Sequence, residues 1–293
     1  MTTLLITGAS GFIGRNLAEQ LACHHEVTAP SRAELDLCDE ESVQQFFESR
    51  RFGVVLHAAT VRSNRLLGES PNLLADNLRM FFNLVRHRGS FGRLLHFGSG
   101  ADFDRRHWRP RMKEDYFGAH TPADGYGLAK YVCAKYGEEL EIVTNLRLFG
   151  VFGKYEDWRV RFISNACCRV IHGLPIVLRR DVLFDYLYVD DLAAIVRQLI
   201  EHQPPERAYN VCTGAPVLLS TLAKIVAEVS GRNPDMIVRE PGMGTEYSGD
   251  NSRLLTALGG FRFTELRESI GRLYEWYEAR KQEIDPAELR FDG

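Results

Sequence analysis

The chain lacks most of the features that would assign it to a specialised class at sight. Its six cysteines, Cys23, Cys38, Cys133, Cys167, Cys168 and Cys212, contain no C-x-x-C pair and fall in apolar or helical stretches. That distribution predicts reduced packing residues, with neither a zinc site nor disulfides. No apolar run is long enough to span a bilayer, and Met1 leads straight into an apolar strand with no basic, apolar leader between them. The expectation is a cytoplasmic protein with no membrane partner. Neither sign of charge is in excess: 36 Lys and Arg against 39 Asp and Glu give a net charge of -3, with a pI near 6.3. Nothing global draws the chain to nucleic acid, although arginines gather between Arg105 and Arg111. Repeats and low-complexity segments are also missing. What remains is a chain of 293 residues, 45% hydrophobic and 26% charged, ample for one large or two modest domains with a sizeable core.

Up to about residue 150, short apolar strands alternate with longer amphipathic segments, the pattern of a parallel sheet covered by helices on both faces. Strands are predicted at Leu4–Thr7, Glu26–Ala29, Val54–His57, Leu94–Phe97 and Ile142–Leu148. Helices are predicted at Gly11–Cys23, Glu40–Arg50, Pro71–Arg88 and Asp124–Leu140. Beyond residue 155 the alternation fails. A helix near Val160–His172, strands around Ile176 and at Tyr186–Val189, and a helix through Ile200 follow. Pro204-Pro205 reads as a loop, Ala208–Val211 as a strand, and Leu219–Ser230 and Glu265–Arg280 as helices. The fold class is therefore α/β: a Rossmann-type doubly wound parallel sheet with a smaller, partly interleaved C-terminal α/β substrate domain. Residues 1–155 form the nucleotide-binding part, segments near 186–214 return to it, and 156–293 are mainly substrate-binding.

The first strand runs into Thr7-Gly8-Ala9-Ser10-Gly11-Phe12-Ile13-Gly14 and then into a helix. The three glycines, spaced by three, have separate jobs. Gly8 permits a tight turn, Gly11 lets a pyrophosphate approach the backbone, and Gly14 lets the helix pack close. Free N–H groups at the helix start, including those of Phe12 and Ile13, complete an anion cradle. About twenty positions on, an acidic residue would bind the ribose 2′-hydroxyl of NAD. The stretch Ala29-Pro30-Ser31-Arg32 has none, and Arg32 suits a 2′-phosphate, so NADP is the predicted cofactor and NAD the alternative. Asp36-Leu37 are placed at the adenine edge, and the small Ala58-Ala59 let the cofactor lie against a strand end. Asn77 has two readings, a buried hydrogen-bonding residue that supports the site or a plain surface amide.

The fourth strand ends in His96-Phe97-Gly98-Ser99-Gly100-Ala101, which brings a hydroxyl to the carboxyl edge of the sheet. Downstream, Tyr126-Gly127-Leu128-Ala129-Lys130 is Y-x-x-x-K. On a helix these residues share a face about 6 Å apart along the axis, so an ammonium can sit beside a phenol. A free phenol holds its proton up to pH near 10, and a neighbouring cation eases proton exchange at neutral pH. Tyr131 and Lys135 repeat the spacing but point elsewhere on the helix. The loop Asp102–Asp115, with Arg105, Arg106, Trp108, Arg109 and Arg111, reads either as a lid over a substrate or as a solvated surface loop.

Together Thr7–Gly14, Ser99, Tyr126 and Lys130 resemble the extended short-chain dehydrogenases, the nucleotide-sugar epimerase, dehydratase and reductase family. The likeness spans nearly the whole chain. Asn145–Gly153 is similar to the family's L-R-x-x-N-V-Y-G, Phe184–Asp191 to its R-D-F-I-H-V-D-D, and Tyr209-Asn210-Val211 with Gly214 to its Y-N-V-G. The resemblance implies a nucleoside-diphosphate sugar lying between two domains. It makes Ser99 the holder of a sugar oxygen, Tyr126 the acid/base, and Lys130 a ligand of the nicotinamide ribose. It further implies a homodimer through the helices bearing Asn77 and Tyr126, whose apolar residues include Met80, Phe81, Phe82, Val132, Cys133 and Tyr136.

The departures are informative too. The Asp-Glu pair of the dehydratases is replaced by Gly100-Ala101, which argues against water elimination. Residues Ser31–Leu37 most resemble the GDP-fucose synthase and dTDP-dehydrorhamnose reductase relatives, yet the epimerising cysteine of the former is matched by Ala101 and its histidine by Arg161. Phe184 stands where an arginine often holds the diphosphate, leaving Arg161, Arg179 or Arg180, with Asn165, as substrate-binding candidates. The expectation is NADPH-dependent reduction of a nucleotide keto-sugar. The alternative is an NAD-dependent 4-epimerase, and a third reading is a non-catalytic dinucleotide sensor.

Overall fold

The computed structural model describes residues 1–61, 68, 70–203 and 205–289. The chain begins with β1 (Thr3–Thr7), α1 (Phe12–Leu21), β2 (Glu26–Thr28), α2 (Glu40–Glu48), β3 (Phe52–His57), α3 (Leu73–Arg86), β4 (Phe91–Ser99), α4 (Gly125–Gly137) and β5 (Val143–Leu148). Local chemistry sets several of these boundaries. Asp39 caps α2 by accepting the Glu41 N–H, and Asp124 caps α4 by accepting that of Gly127. By contrast α1 starts at Gly11 with no side-chain cap, so its first N–H groups are left for something else.

The second half follows as β6 (Gly150–Phe152), α5 (Phe162–Ile171), β7 (Ile176–Leu178), β8 (Leu183–Phe184), β9 (Tyr186–Tyr188), α6 (Val189–His202), β10 (Ala208–Val211), β11 (Val217–Leu218), α7 (Leu219–Ser230), β12 (Met236–Val238), α8 (Ser252–Ala257) and α9 (Leu266–Glu278). Pro204, half of the predicted loop signal, lies outside the described residues. Six strands form one parallel sheet in the order β10-β5-β4-β3-β1-β2. The chain leaves β1 for β2 on one side and then crosses to β3 on the other. The switch point, where such sheets open a crevice at their carboxyl ends, therefore lies between β1 and β3.

Strand alternation divides the core between the two faces of this sheet. Leu4, Ile6, Val54, Leu56, Leu95 and Leu146 pack against Ile13, Leu17 and Leu21 of α1 and Leu192, Ile195 and Leu199 of α6. Leu5, Val55, Leu94 and Val143 face the other way, onto Val43 and Phe47 of α2, Phe81 and Leu84 of α3, and Cys133 of α4. A separate apolar cluster joins Ile163, Cys167 and Ile171 of α5 to Leu222 and Val226 of α7 and Ile270, Leu273 and Tyr277 of α9. The elements predicted from periodicity are present, with ends moved by up to three residues. The short β6, β8, β11, β12 and α8 were not predicted, because two to six residues are too few to show a period.

Two expectations shift in detail. Of the apolar residues read on α3 and α4, Met80, Phe81 and Cys133 line the core, which leaves Phe82, Val132 and Tyr136 nearer the surface. Cys133, Cys167, Cys168 and Cys212 are buried as packing residues, but Cys23 is exposed in the turn after α1. Among the described residues no helix is long and apolar enough to cross a membrane.

Candidate active site

The glycine turn closes the carboxyl end of β1. Gly8 has φ +70°, and a Cβ there would lie 2.6 Å from the Ala59 backbone, so the turn runs against Ala58-Ala59 at the end of β3. A Cβ on Gly14 would come within 2.3 Å of the Gly8 carbonyl, which explains how closely α1 meets the turn. Thr7 Oγ1 and His57 Nδ1 tie the two strand ends together at 2.9 Å. Gly11 is exposed at the uncapped start of α1. A turn of glycines and small side chains, beside free helix N–H groups, fits a dinucleotide pyrophosphate. Of the residues predicted here, the Ile13 and Leu37 side chains are in the core, so any contact they make with a cofactor is through their backbone.

Beyond the end of β2, Arg32 projects with its side chain 81% exposed and bonds Asp36 at 3.1 Å. Asp36 also accepts the Cys38 N–H. Asn77 is buried, and of its two readings the hydrogen-bonding one describes the structure. Its amide takes the Val61 N–H and Thr60 hydroxyl and donates to the carbonyls of Val61 and Leu73, which fixes the segment leaving β3.

Ser99 ends β4 and caps the short turn Gly100–Asp102, its Oγ accepting the Ala101 N–H at 3.1 Å. The start of α4 is pressed onto this turn, since a Cβ on Gly127 would meet the Ala101 carbonyl at 2.8 Å. Tyr126 and Ser99, both half-exposed, flank this contact in sequence. Lys130 is buried and donates to the Phe97 carbonyl at 2.8 Å, and its Nζ lies 5.9 Å from the centre of the Tyr126 ring. The other Y-x-x-x-K points away: Tyr131 packs on Phe117, and Lys135 bonds Glu138.

Beneath Ser99 lies a polar cluster that the sequence did not single out. Asp102 is fully buried. Its Oδ1 accepts the Ser99 N–H, and its Oδ2 accepts Asn145 Nδ2 at 3.0 Å and Arg147 Nε at 3.1 Å. Arg147, 1% exposed, rests 4.0 Å over the Phe117 ring. Burial pushes the Asp102 carboxyl up and the Arg147 guanidinium down, each opposed by the other's charge. His57 and His96 stand nearby with ring centres 5.4 Å apart. Burial and Lys130 hold both well below the usual imidazole range, His57 at about 3. A Ser-x-x-Asp capping pattern at Ser99–Asp102 was the available signal for this acid.

The segment read as a lid or a solvated loop is neither mobile-looking nor wholly exposed. Phe103, Asp104, Met112 and Glu114 are buried, and Met112 N–H bonds the Ser248 carbonyl. Trp108 lies 4.3 Å from the ring of Tyr247. The surface-loop reading survives for Arg105, Arg106, His107, Arg109, Pro110, Arg111, Lys113 and Asp115, which are exposed. The predicted substrate residues are apart from this centre in their contacts. Arg161 is exposed just before α5, and Asn165 donates to the Trp158 and Arg159 carbonyls. Arg179 and Arg180 share Glu240. Among the described residues no group of three His, Cys, Asp or Glu could hold a metal ion.

A profile of the NAD dependent epimerase/dehydratase family matches residues 4–212, from β1 through the sheet's last strand to Cys212. The chain belongs to this family. GDP-L-fucose synthase of Azorhizobium caulinodans is 28% identical to this family member, over 94% of this chain and 96% of the relative. Two solved structures of the same fold are similar to it throughout. GDP-mannoheptose C4 reductase from Campylobacter jejuni, with NADP bound, has a TM-score of 0.81 at 20% identity and covers 94% of this chain and 98% of its own. UDP-glucose 4-epimerase from Thermotoga maritima, with UDP-glucose, has a TM-score of 0.80 at 21% identity and covers 96% and 100%. Within this epimerase/dehydratase family member, the resembling motifs of the second half do structural work. Asp185 accepts from Thr213 and Gly214, and Asp191 from Thr264.

Proposed function

We propose that this protein is an NADPH-dependent reductase of a nucleoside-diphosphate keto-sugar. The observation that supports the reading is buried Lys130, which bonds the Phe97 carbonyl two residues before Ser99 at the end of β4 and lies 5.9 Å from the Tyr126 ring centre. Gly8, Gly11 and Gly14, with the backbone at Phe12 and Ile13, hold the pyrophosphate. Arg32 meets the adenosine 2′-phosphate, with Asp36 and Leu37 at the adenine edge and Ala58, Ala59 and Asn77 shaping the strand-end wall. When bound, the nicotinamide supplies the hydride. Ser99 holds the carbonyl oxygen, Tyr126 donates the proton that turns it into a hydroxyl, and Lys130 keeps the phenol oriented and binds the nicotinamide ribose.

Position 101 favours simple reduction. Ala101 is 2% exposed and offers no proton carrier, and Arg161 stands for the second, so ring-carbon epimerisation has no evident acid and base. The relative's GDP-linked name and the C4 reductase fold make GDP-linked 4-keto sugars the first substrates to try, with Arg161, Asn165, Arg179 and Arg180 as the diphosphate candidates. The 1–155 and 156–293 division and a homodimer through α3 and α4 belong to the same reading. Tyr136, 43% exposed and packed on Phe82 at 5.0 Å, would face the partner.

The test is a panel of nucleotide 4-keto-6-deoxy sugars with NADPH or NADH, following cofactor absorbance and product together. Stoichiometric NADPH loss with a new hydroxyl supports reduction. Interconversion of two sugars with no net cofactor loss would replace it with 4-epimerisation, the reading favoured by the epimerase of the same fold.

A further inference from the structure

Ser99 has a second neighbour that comes from far along the chain. Tyr247 lies in the segment between β12 and α8. Its backbone is fixed on both sides, the N–H bonding the Leu183 carbonyl and the carbonyl accepting the Asp185 N–H. The next residues are stitched to the loop after Ser99, Met112 N–H to the Ser248 carbonyl and Asp250 N–H to the Met112 carbonyl. The ring of Tyr247, 8% exposed, is wedged between Trp108 at 4.3 Å, Phe184 at 4.9 Å and Phe149 at 5.1 Å. Its hydroxyl reaches the turn that carries Ser99, because a Cβ on Gly100 would stand 2.5 Å from it. The phenol, together with the Phe149 ring at 2.9 Å, thus fills the space that any side chain at position 100 would need. Ser99 and Tyr126 are among the groups that face it.

Proton counting shows what a hydrogen bond between the two hydroxyls would do. A serine hydroxyl has one hydrogen to donate and two lone pairs. The Ala101 N–H occupies one lone pair of Ser99 Oγ. Burial pushes the Tyr247 phenol well above its ordinary range, so it keeps its hydrogen throughout the neutral range and is a standing donor. A protonated phenol can donate or accept, and donation to the remaining acceptor position on Ser99 Oγ is the arrangement that occupies both lone pairs. With both lone pairs taken, the Ser99 hydrogen is the part left free.

We infer that Tyr247 is a positioning residue for Ser99: its hydroxyl donates to Ser99 Oγ, leaving the Ser99 hydrogen turned to the substrate oxygen, and Gly100 is small to admit it. The inference rests on the reading of Ser99 as the holder of the reacting oxygen. It applies equally to reduction and to 4-epimerisation.

The test is a double-mutant cycle of Tyr247→Phe with Ser99→Ala, assayed in whichever of those two reactions the wild type performs. Phenylalanine keeps the ring packing and removes only the hydroxyl. Tyr247→Phe is expected to lower kcat about 5- to 20-fold, the value of one directed hydrogen bond, with thermal midpoint and NADPH affinity by fluorescence titration near wild type. In the Ser99→Ala background the same change should cost less than about twofold, because the group it orients is gone. Equal fold losses in both backgrounds would overturn the inference, as would unchanged kcat in the single variant. Gly100→Ala gives a second reading: it should lower the thermal midpoint less in Tyr247→Phe than in wild type, and an equal drop in both would count against the shared space. A wild type inactive in both reactions removes the proposed function and this inference with it, whereas additive losses in an active enzyme remove only the role of Tyr247.

Discussion

The ion pair under Ser99 gives a prediction whose size can be worked from the structure. Asp102 is 0% and Arg147 1% exposed, so each is the other's main compensation for lost water. Removing one partner of such a pair costs about 3–5 kcal/mol, because the survivor is left charged and buried. Asp102→Leu strands the guanidinium together with the Ser99 N–H and Asn145 Nδ2. Arg147→Met strands the carboxylate, which keeps the two other donors. Additive behaviour would make the double variant about 6–10 kcal/mol less stable than wild type, enough to unfold most domains of ordinary stability. The pair itself disappears in the double variant, however. Only the Ser99 and Asn145 donors then go unmet, at about 1–3 kcal/mol each. The double variant should therefore be more stable than additivity allows by about 3 kcal/mol or more, read from urea midpoints with an unchanged slope. Additivity within about 0.5 kcal/mol would refute the claim that the two charges are each other's compensation.

Other outcomes follow from the site. Tyr126→Phe should lower turnover about 10²- to 10⁴-fold, the usual worth of a general acid, and near-normal turnover in the keto-sugar assay would remove Tyr126 from the proton transfer. Arg32→Ala should weaken NADPH binding about 10- to 100-fold, the loss of a charge-assisted contact, while barely changing NADH binding; equal titration curves for the two would end the NADP assignment. His57, held at about 3 against an ordinary 6.5, is neutral when folded. Unfolded chains then bind more protons as pH falls below 6.5, so stability is lost on acidification at up to about 1.4 kcal/mol per pH unit for this group. Urea midpoints between pH 7.5 and 5 measure that slope, and His57→Asn should flatten it.

The parallel sheet was legible because its strands are apolar on both faces and its helices are long enough to show a period. The glycine turn and Y-x-x-x-K were legible because their residues are close in sequence: Gly8 to Gly14 make one turn, and Tyr126 and Lys130 share one helix. The acid under Ser99 escaped notice because Asp102 sits in the short turn after β4 and its partners, Asn145 and Arg147, lie on β5. Tyr247 had no local signal at all, since its function depends on packing against Trp108, Phe149 and Phe184, each on a different element. The arginines expected to bind substrate were placed by resemblance alone, and Arg179 and Arg180 bond Glu240 rather than the Ser99 centre.

The sixth strand of the sheet has a bearing on how the protein is made. β10 lies beside β5, with Asn145 N–H on the Arg207 carbonyl, although some sixty residues, with two helices and four short strands, separate the two in sequence order. During synthesis, β5 must wait as an unpaired edge while that excursion emerges. Non-local pairing of this kind slows folding and leaves a temporary template for aggregation. A ribosome-bound chain ending before Ala208 should therefore be a better chaperone client than one ending after Val211, even though both already contain the complete glycine turn, Ser99, Tyr126 and Lys130.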